Sequence, residues 1–306
     1  MNFLRVGASA TMLAALPTLL APPDAFAHGF AGDRFFPATL LTDDPFVADE
    51  MSLPTFTINP PGTDGSREFD LGADISKRLT PDLGVTISDR WEHLRPAGMP
   101  SVSGLGTLDT QLDWQFFKNG PHEATAMVGV DTSWGHTGRV QALGADDFTT
   151  VSPLLDFGKG FGDLPDGLPW LRPFAITGNL SADFPTKRES NGNPNPNNFN
   201  YGFAFEYSLP YLQQNVKDIG LPDPFRWMIP LVEASFSTAL NRGQGGRTVG
   251  TIQPGVIWSG PYFQIGAEAI IPATRQTGHG YGAIVQLHFY LDDILPNSFG
   301  RPLFGD

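Results

Sequence analysis

The chain has 306 residues, a formal net charge of −13 and no cysteine. The acidic balance argues against nucleic acid and anionic lipid surfaces as partners, and the absence of cysteine excludes disulfides and thiolate metal sites. The 35 glycines, 28 prolines and 24 phenylalanines favour many short strands and turns over helices.

The first residues have the pattern of a secretory signal peptide. A charged start is followed by an apolar run from Val6 to Leu20 and by an Ala-x-Ala sequence that ends at Ala27. We therefore predict that residues 1–27 are removed on export. The apolar run is shorter than the roughly 20 residues that a membrane-spanning helix needs, and no longer one follows it. A membrane protein with this sequence would have to cross the bilayer as a β-barrel.

Residues 28–53 show little periodicity and are predicted to form an arm that is either periplasmic or inserted into a lumen. Cleavage after Ala27 would leave His28 with a free α-amine beside its imidazole, which resembles half of a copper-binding histidine brace. Copper binding at His28 is therefore the alternative to the main prediction of no cofactor. The acidic pairs Asp43–Asp44 and Asp49–Glu50 lack the spacing of a calcium loop and are predicted to be a solvated charge run.

Twelve strand-like segments are predicted between residues 54 and 295, because apolar and polar side chains alternate along most of this region. The alternation is cleanest in Leu108–Phe116, whereas the first segment, Thr55–Asn59, is short. The last segment carries on its apolar side Val285, Leu287, Phe289 and Leu291. If the apolar faces point into lipid, the chain is a closed barrel; if they point inward, it is a soluble β-sandwich acting as a binding module. In a barrel the last strand closes on the short first one, so this seam is predicted to be the weakest part.

Loop lengths and tryptophan positions favour the barrel. Outer-membrane barrels have an even strand number, short periplasmic turns and longer outer loops, and alternate connections here are short, as at Thr80–Asp82 and Ser259–Pro261. The connection Pro210–Phe225 is longer than this rule predicts, so we expect a small helix there at the periplasmic rim. The tryptophans fall at or near strand ends, where interfacial aromatic girdles lie. We therefore predict an all-β transmembrane antiparallel up-and-down barrel at residues 54–295, surrounded by outer-membrane lipid, and a periplasmic tail at 296–306.

In such a barrel the polar side of each strand faces the lumen. The candidate lumen-lining residues are Asp70, Asp74, Arg90, Asp109, Asp113, Asp131, Glu206, Glu233, Glu268, His288 and Asp292. Most of them are acidic, so a water-filled lumen is expected to favour cations or neutral solutes over anions.

The sequence lacks the motifs of the common hydrolases. It has no nucleophile elbow, no recognisable Ser and His arrangement of a barrel phospholipase, no i, i+4 histidine pair and no His-x-His. We therefore predict that the chain is not an enzyme.

The segment Pro254–Ala269, followed by the last strand, resembles the outer-membrane barrels grouped with the meta-pathway phenol-degradation family. The resemblance implies a Gram-negative outer-membrane transporter for small, often hydrophobic or aromatic compounds, and it supplies no set of binding residues. The arm at 28–53 and the tail after Ile294 depart from the family pattern. The main prediction is a channel for passive uptake of a small organic solute, with the copper-binding protein and the soluble sandwich as alternatives.

Overall fold

The computed structural model describes residues 29–42, 44–139, 147–190 and 192–305. The predicted signal peptide, His28 and Asp43 lie outside the described residues, and so does the copper-binding alternative that depends on His28.

Twelve antiparallel strands form one closed ring, in which each strand pairs with its neighbours in the chain and the last strand pairs with the first. The strands are β1 (Glu50–Ile58), β2 (Arg67–Thr80), β3 (Leu83–Arg95), β4 (Leu108–Asn119), β5 (Ala124–Trp134), β6 (Thr150–Gly160), β7 (Phe174–Pro185), β8 (Asn198–Tyr207), β9 (Met228–Ala239), β10 (Thr248–Ser259), β11 (Phe263–Pro272) and β12 (Gly282–Tyr290). The short strand Val102–Leu105 pairs with the outer part of β3. The predicted barrel of twelve strands is therefore confirmed.

The barrel is polar inside and apolar outside. In β11, Gln264 and Glu268 are buried, while Ile265 between them is 44% exposed on the outer surface. A soluble protein buries its apolar side chains instead, because their transfer out of water is what drives folding. The closed ring and this reversed burial exclude the soluble sandwich. None of the described helices is long and apolar enough to span a membrane.

The seam between the first and last strands is longer than the sequence predicts. Strand β1 begins at Glu50, not at Thr55, and its pairing with β12 extends from Ala283 opposite Ile58 to Tyr290 opposite Glu50. The register of β1 shifts between Ser52 and Thr55, which breaks the two-residue alternation at Pro54. The first strand is therefore longer than predicted, and the predicted arm boundary at residue 53 was wrong.

The last strand also ends earlier than predicted. Strand β12 stops at Tyr290, and Leu291–Ile294 form a short helix. Leu291 is buried and does not face lipid, and Asp292 lies in this helix instead of on a lumen-facing strand. The main-chain N–H of Asp292 donates to the carbonyl of Asp49 at 3.1 Å, so contacts with the start of β1 turn the chain inward here.

The two ends of the barrel differ. One end carries the short turns, including Thr80–Leu83 and Ser259–Phe263, and the first strand begins and the last strand ends there. We call it the inner rim and the opposite end the outer rim. The long connection between β8 and β9 lies at the inner rim and holds the helical turn Leu209–Tyr211, which continues to Val216. The C-terminal tail lies along the end of β2, where the Phe304 N–H donates to the Leu79 carbonyl at 2.8 Å.

Candidate functional site: the barrel lumen

Residues 29–49, which we call the arm, lie inside the barrel. At the inner rim the arm forms a small hairpin from Phe30–Ala31 and Arg34–Phe35. It then runs along the lumen wall, where the Gln264 side chain, close to the inner end of β11, donates to the Ala38 carbonyl at 2.5 Å. The chain returns along the opposite wall, where Thr125 of β5 donates to the Pro45 carbonyl at 3.1 Å, and enters β1 at Glu50. The arm therefore occupies the inner half of the lumen.

The deepest part of the arm is held by the carboxylate of Glu233 on β9. The N–H groups of Leu40 and Thr42 donate to its two oxygens at 2.7 and 2.6 Å, and the Leu41 N–H lies within 3.3 Å of both. Glu233 is fully buried. A carboxylate that accepts several main-chain N–H groups forms charge-assisted hydrogen bonds, which are stronger than neutral ones. This contact fixes the position of the arm in the middle of the barrel.

The side chain of Leu40 packs into an aliphatic cluster on the inside of the barrel. Its partners on the four strands β9 to β12 are Leu231, Ile257, Ile270 and Ile284. Glycine at position 266 of β11 leaves room for Leu40, because a Cβ there would overlap the end of that side chain. The alternation pattern in the sequence places polar residues in the lumen, so it did not predict that these aliphatic side chains face the lumen. On this wall the arm and the barrel share a small apolar core.

At the inner rim, Arg34 anchors the arm to the turns of the barrel. Its guanidinium lies 3.1 Å from the Glu123 carboxylate, donates to the Pro173 carbonyl at 3.0 Å and covers the ring of Tyr211. The Tyr211 hydroxyl donates to Glu123 at 2.7 Å. Burial and the neighbouring Glu123 carboxylate raise the pKa of Tyr211, so its hydroxyl stays protonated and keeps donating.

The other end of the arm is anchored by Asp49. Its carboxylate accepts from Lys77 at 2.6 Å and from Arg78 at 2.9 Å, and its N–H donates to Asp292 at 2.9 Å. Arg78 also lies 3.3 Å from Asp292 and donates to the Gly300 carbonyl of the tail at 2.9 Å. Arg78 therefore joins the arm, the helix after β12 and the tail.

Replacing Arg78 with alanine is expected to destabilise the folded barrel by about 3 kcal/mol, because the buried carboxylates of Asp49 and Asp292 lose their shared partner. Denaturant titration of the detergent-solubilised protein, followed by the gel mobility of unboiled samples, measures the change. The exposed Arg226, 4.0 Å from Asp223 at the same rim, supplies the control variant Arg226→Ala. Equal midpoints for the two variants would contradict a structural role for Arg78.

A cavity of about 310 Å³ remains between the arm and the wall formed by β1 to β5 and β12. The wall contributes the polar neutral side chains Ser52, Ser76, Thr86, Ser88, Gln111 and Gln286. Its carboxylates are Asp74 and Asp113 from the wall, Asp44 from the arm and Glu50 at the start of β1. The described residues that line it include neither Lys nor Arg. The arm thus packs against the aliphatic cluster of β9 to β12 and leaves space along β1 to β5.

Several predicted lumen residues lie at this cavity or at the arm. Asp74 and Asp113 line the cavity together with His288, whose Nδ1 lies 3.0 Å from the Ser52 hydroxyl and whose Nε2 lies 3.3 Å from Glu50. Glu233 holds the arm, and Asp292 lies at the inner rim as described above.

The remaining predicted residues face the lumen elsewhere. Toward the outer rim, Asp70 accepts from Asn59 at 2.8 Å and Arg90 donates to Glu92 at 2.7 Å. Asp109 and Asp131 lie on the inward faces of β4 and β5. Glu206 and Glu268 are buried on the opposite wall. Whether any of these side chains contacts a solute stays a prediction.

Sequence reasoning missed three charged groups that organise the lumen. Arg78 has the same parity in β2 as Asp70 and Asp74, so the alternation that identified those two also marks Arg78. Arg34 and Glu123 lie in a hairpin and a turn, where strand periodicity gives no signal. Among the described residues there is no group of three or more His, Asp or Glu side chains arranged to hold a metal ion.

The closed ring of antiparallel strands, its apolar outer surface and its polar lumen define the class of outer-membrane β-barrels. No protein-family model matches the chain and no curated protein sequence matches it, so the resemblance to the meta-pathway family stays a prediction. The COG4313 outer membrane channel from Pseudomonas putida F1 has a similar structure, with 10% identity, a TM-score of 0.55 and coverage of 88% of this chain and 99% of that channel. The KdgM porin and the NanC porin each have a TM-score of 0.47, with 9% and 6% identity, and each covers 78% of this chain and 98% of its own. At 10% identity, the similarity to the COG4313 channel shows a shared fold alone.

Proposed function

We propose that the chain is an outer-membrane channel through which a small organic solute enters the cell by passive diffusion. A closed barrel with an apolar belt and a polar lumen is suited to this role. The similar structure from Pseudomonas putida F1 is itself described as an outer membrane channel, which supports the same role here.

The observation that carries the proposal is the cavity beside the arm. The arm fills the inner half of the lumen on the side of β9 to β12, and the cavity is the space that it leaves along β1 to β5. At about 310 Å³ it matches the lower end of the range of small-molecule pockets, roughly 300–1,000 Å³. A solute that follows this route is small.

The cavity wall favours a polar solute over the hydrophobic or aromatic one that the family resemblance implies. Its wall side chains are mainly hydroxyls, amides and carboxylates, and apolar groups come chiefly from the arm. Carboxylates without a nearby lysine or arginine in the lining attract cations and repel anions. We therefore place neutral and cationic polar solutes ahead of aromatic acids.

Liposome swelling with the full-length protein tests the channel. Sugars and neutral amino acids are expected to enter faster than aromatic acids of similar size. Thr86→Trp places a large side chain in the cavity and is expected to abolish most of the solute entry. Thr132→Trp is the matched control, because Thr132 has the outward parity on β5. Recovery of the protein in the soluble periplasmic fraction, or equal swelling with and without folded protein, would contradict the proposal.

A further inference from the structure

The cavity presents hydrogen-bond acceptors from two sides. Asp74 and Asp113 lie on the wall, and Asp44 and Glu50 face them from the arm and its junction with β1. Asp113 accepts from Gln111 at 3.1 Å, and a Cβ at residue 129 of β5 would overlap an oxygen of this carboxylate. Gly129 therefore provides the space in which the Asp113 carboxylate lies.

A buried amide oxygen adds a separate observation. Gln286 on β12 is 7% exposed and lines the cavity, and its Nε2 donates to the Thr55 hydroxyl at 3.2 Å. Its Oε1 has no hydrogen-bond partner among the described residues. A buried acceptor without a donor is unfavourable, so a ligand N–H that reaches it gains affinity.

We propose that this cavity binds a small organic cation that carries ammonium or guanidinium N–H donors, and that the cation occupies the site during passage. The proposal rests on the proposed channel function and names its substrate class. The carboxylates of Asp74 and Asp113 receive the charged donors, and the Gln286 oxygen receives a further N–H. Carbon atoms of the ligand contact Val47 and Phe46 of the arm and Met127 of β5.

An organic cation fits this lining better than a metal ion does. The described carboxylates and histidines are not grouped closely enough to coordinate a metal. The lining combines dispersed acceptors with apolar side chains, which suits a charged group attached to a short carbon chain.

Current block in planar bilayers tests the site. Putrescine, its diol analogue and succinate have the same four-carbon length and carry positive, neutral and negative end groups. Putrescine is expected to block the potassium current of the full-length protein at concentrations at least about tenfold lower than the diol, and succinate is expected to have the weakest effect. The double variant Asp74→Asn, Asp113→Asn is expected to raise the half-blocking concentration of putrescine by about tenfold or more.

Asp183→Asn is the matched control, because Asp183 lies on the lumen side of β7, where it accepts from the Ser152 hydroxyl. It is expected to leave the putrescine block unchanged. Equal block by the three compounds, or an unchanged block in the double variant, would overturn the proposal.

Calorimetric titration of putrescine into detergent-solubilised protein separates the two proposals. Binding that depends on Asp74 and Asp113 without any conductance would support the cation site and contradict the channel. Conductance without such binding would support the channel and contradict the cation site.

Discussion

Deleting residues 29–47, so that His28 is joined to Ala48, is expected to raise the single-channel conductance several-fold. The arm fills the inner half of the lumen through Leu40, the Glu233 contacts and the rim anchor at Arg34, and all of these are removed together. The barrel wall keeps its complete ring of strand pairs, and Asp49 keeps its contacts with Lys77 and Arg78. Conductance in planar bilayers measures the effect, and the gel mobility of unboiled samples shows that the shortened protein is folded.

A second variant tests the same prediction without shortening the chain. Gly266→Val is expected to displace Leu40, because a Cβ at this position overlaps the Leu40 side chain. Gly72→Val is the matched control, since a Cβ at Gly72 on β2 meets its nearest neighbour, Thr55, at an ordinary 3.6 Å. The displaced arm is expected to give a noisier and larger current than the control. A folded deletion variant with the conductance of the parent protein would show that the arm does not restrict the lumen.

Replacing Glu233 with glutamine is expected to loosen the arm while the barrel stays folded. The substitution removes the negative charge and points an NH2 group at main-chain N–H donors of Leu40–Thr42. Hydrogen bonds to charged groups contribute about 1.5–3 kcal/mol each, so the loss is on the order of 3 kcal/mol, or about a hundredfold in the equilibrium for arm release. Hydrogen exchange of the peptide that contains residues 38–44 measures this change.

Glu206→Gln supplies the comparison for this experiment. Glu206 is also a buried carboxylate on the lumen side, on the adjacent strand β8, and it accepts from Thr177 of the wall at 3.5 Å. Its replacement is expected to leave the exchange of the arm amides nearly unchanged. If both variants accelerate exchange equally, the effect comes from the charge of the lumen as a whole, and the specific contact between Glu233 and the arm is not what holds it.

The strands were predictable because their signal is local. In Leu108–Phe116 the side chains alternate between the two faces over successive residues, and a membrane barrel enforces that alternation against lipid on one side and the lumen on the other. The predicted strand boundaries were wrong where a register shift or a short helix interrupts the two-residue alternation of side chains. The register shift beside Pro54 hid the first half of β1, and the turn into the helix at Leu291 shortened β12.

The sequence by itself determined the two faces of the wall, because the face of a strand residue depends only on its parity. Asp74 and Asp113 were placed on the inner face in this way. Only the tertiary structure decided what they face. The contact between Leu40 and Glu233 joins residues 193 positions apart, and it exists because ring closure brings β9 to β12 around the arm. The same closure leaves the open space along β1 to β5, since Leu40 of the arm packs on the aliphatic cluster of β9 to β12 and Glu233 holds its main chain there.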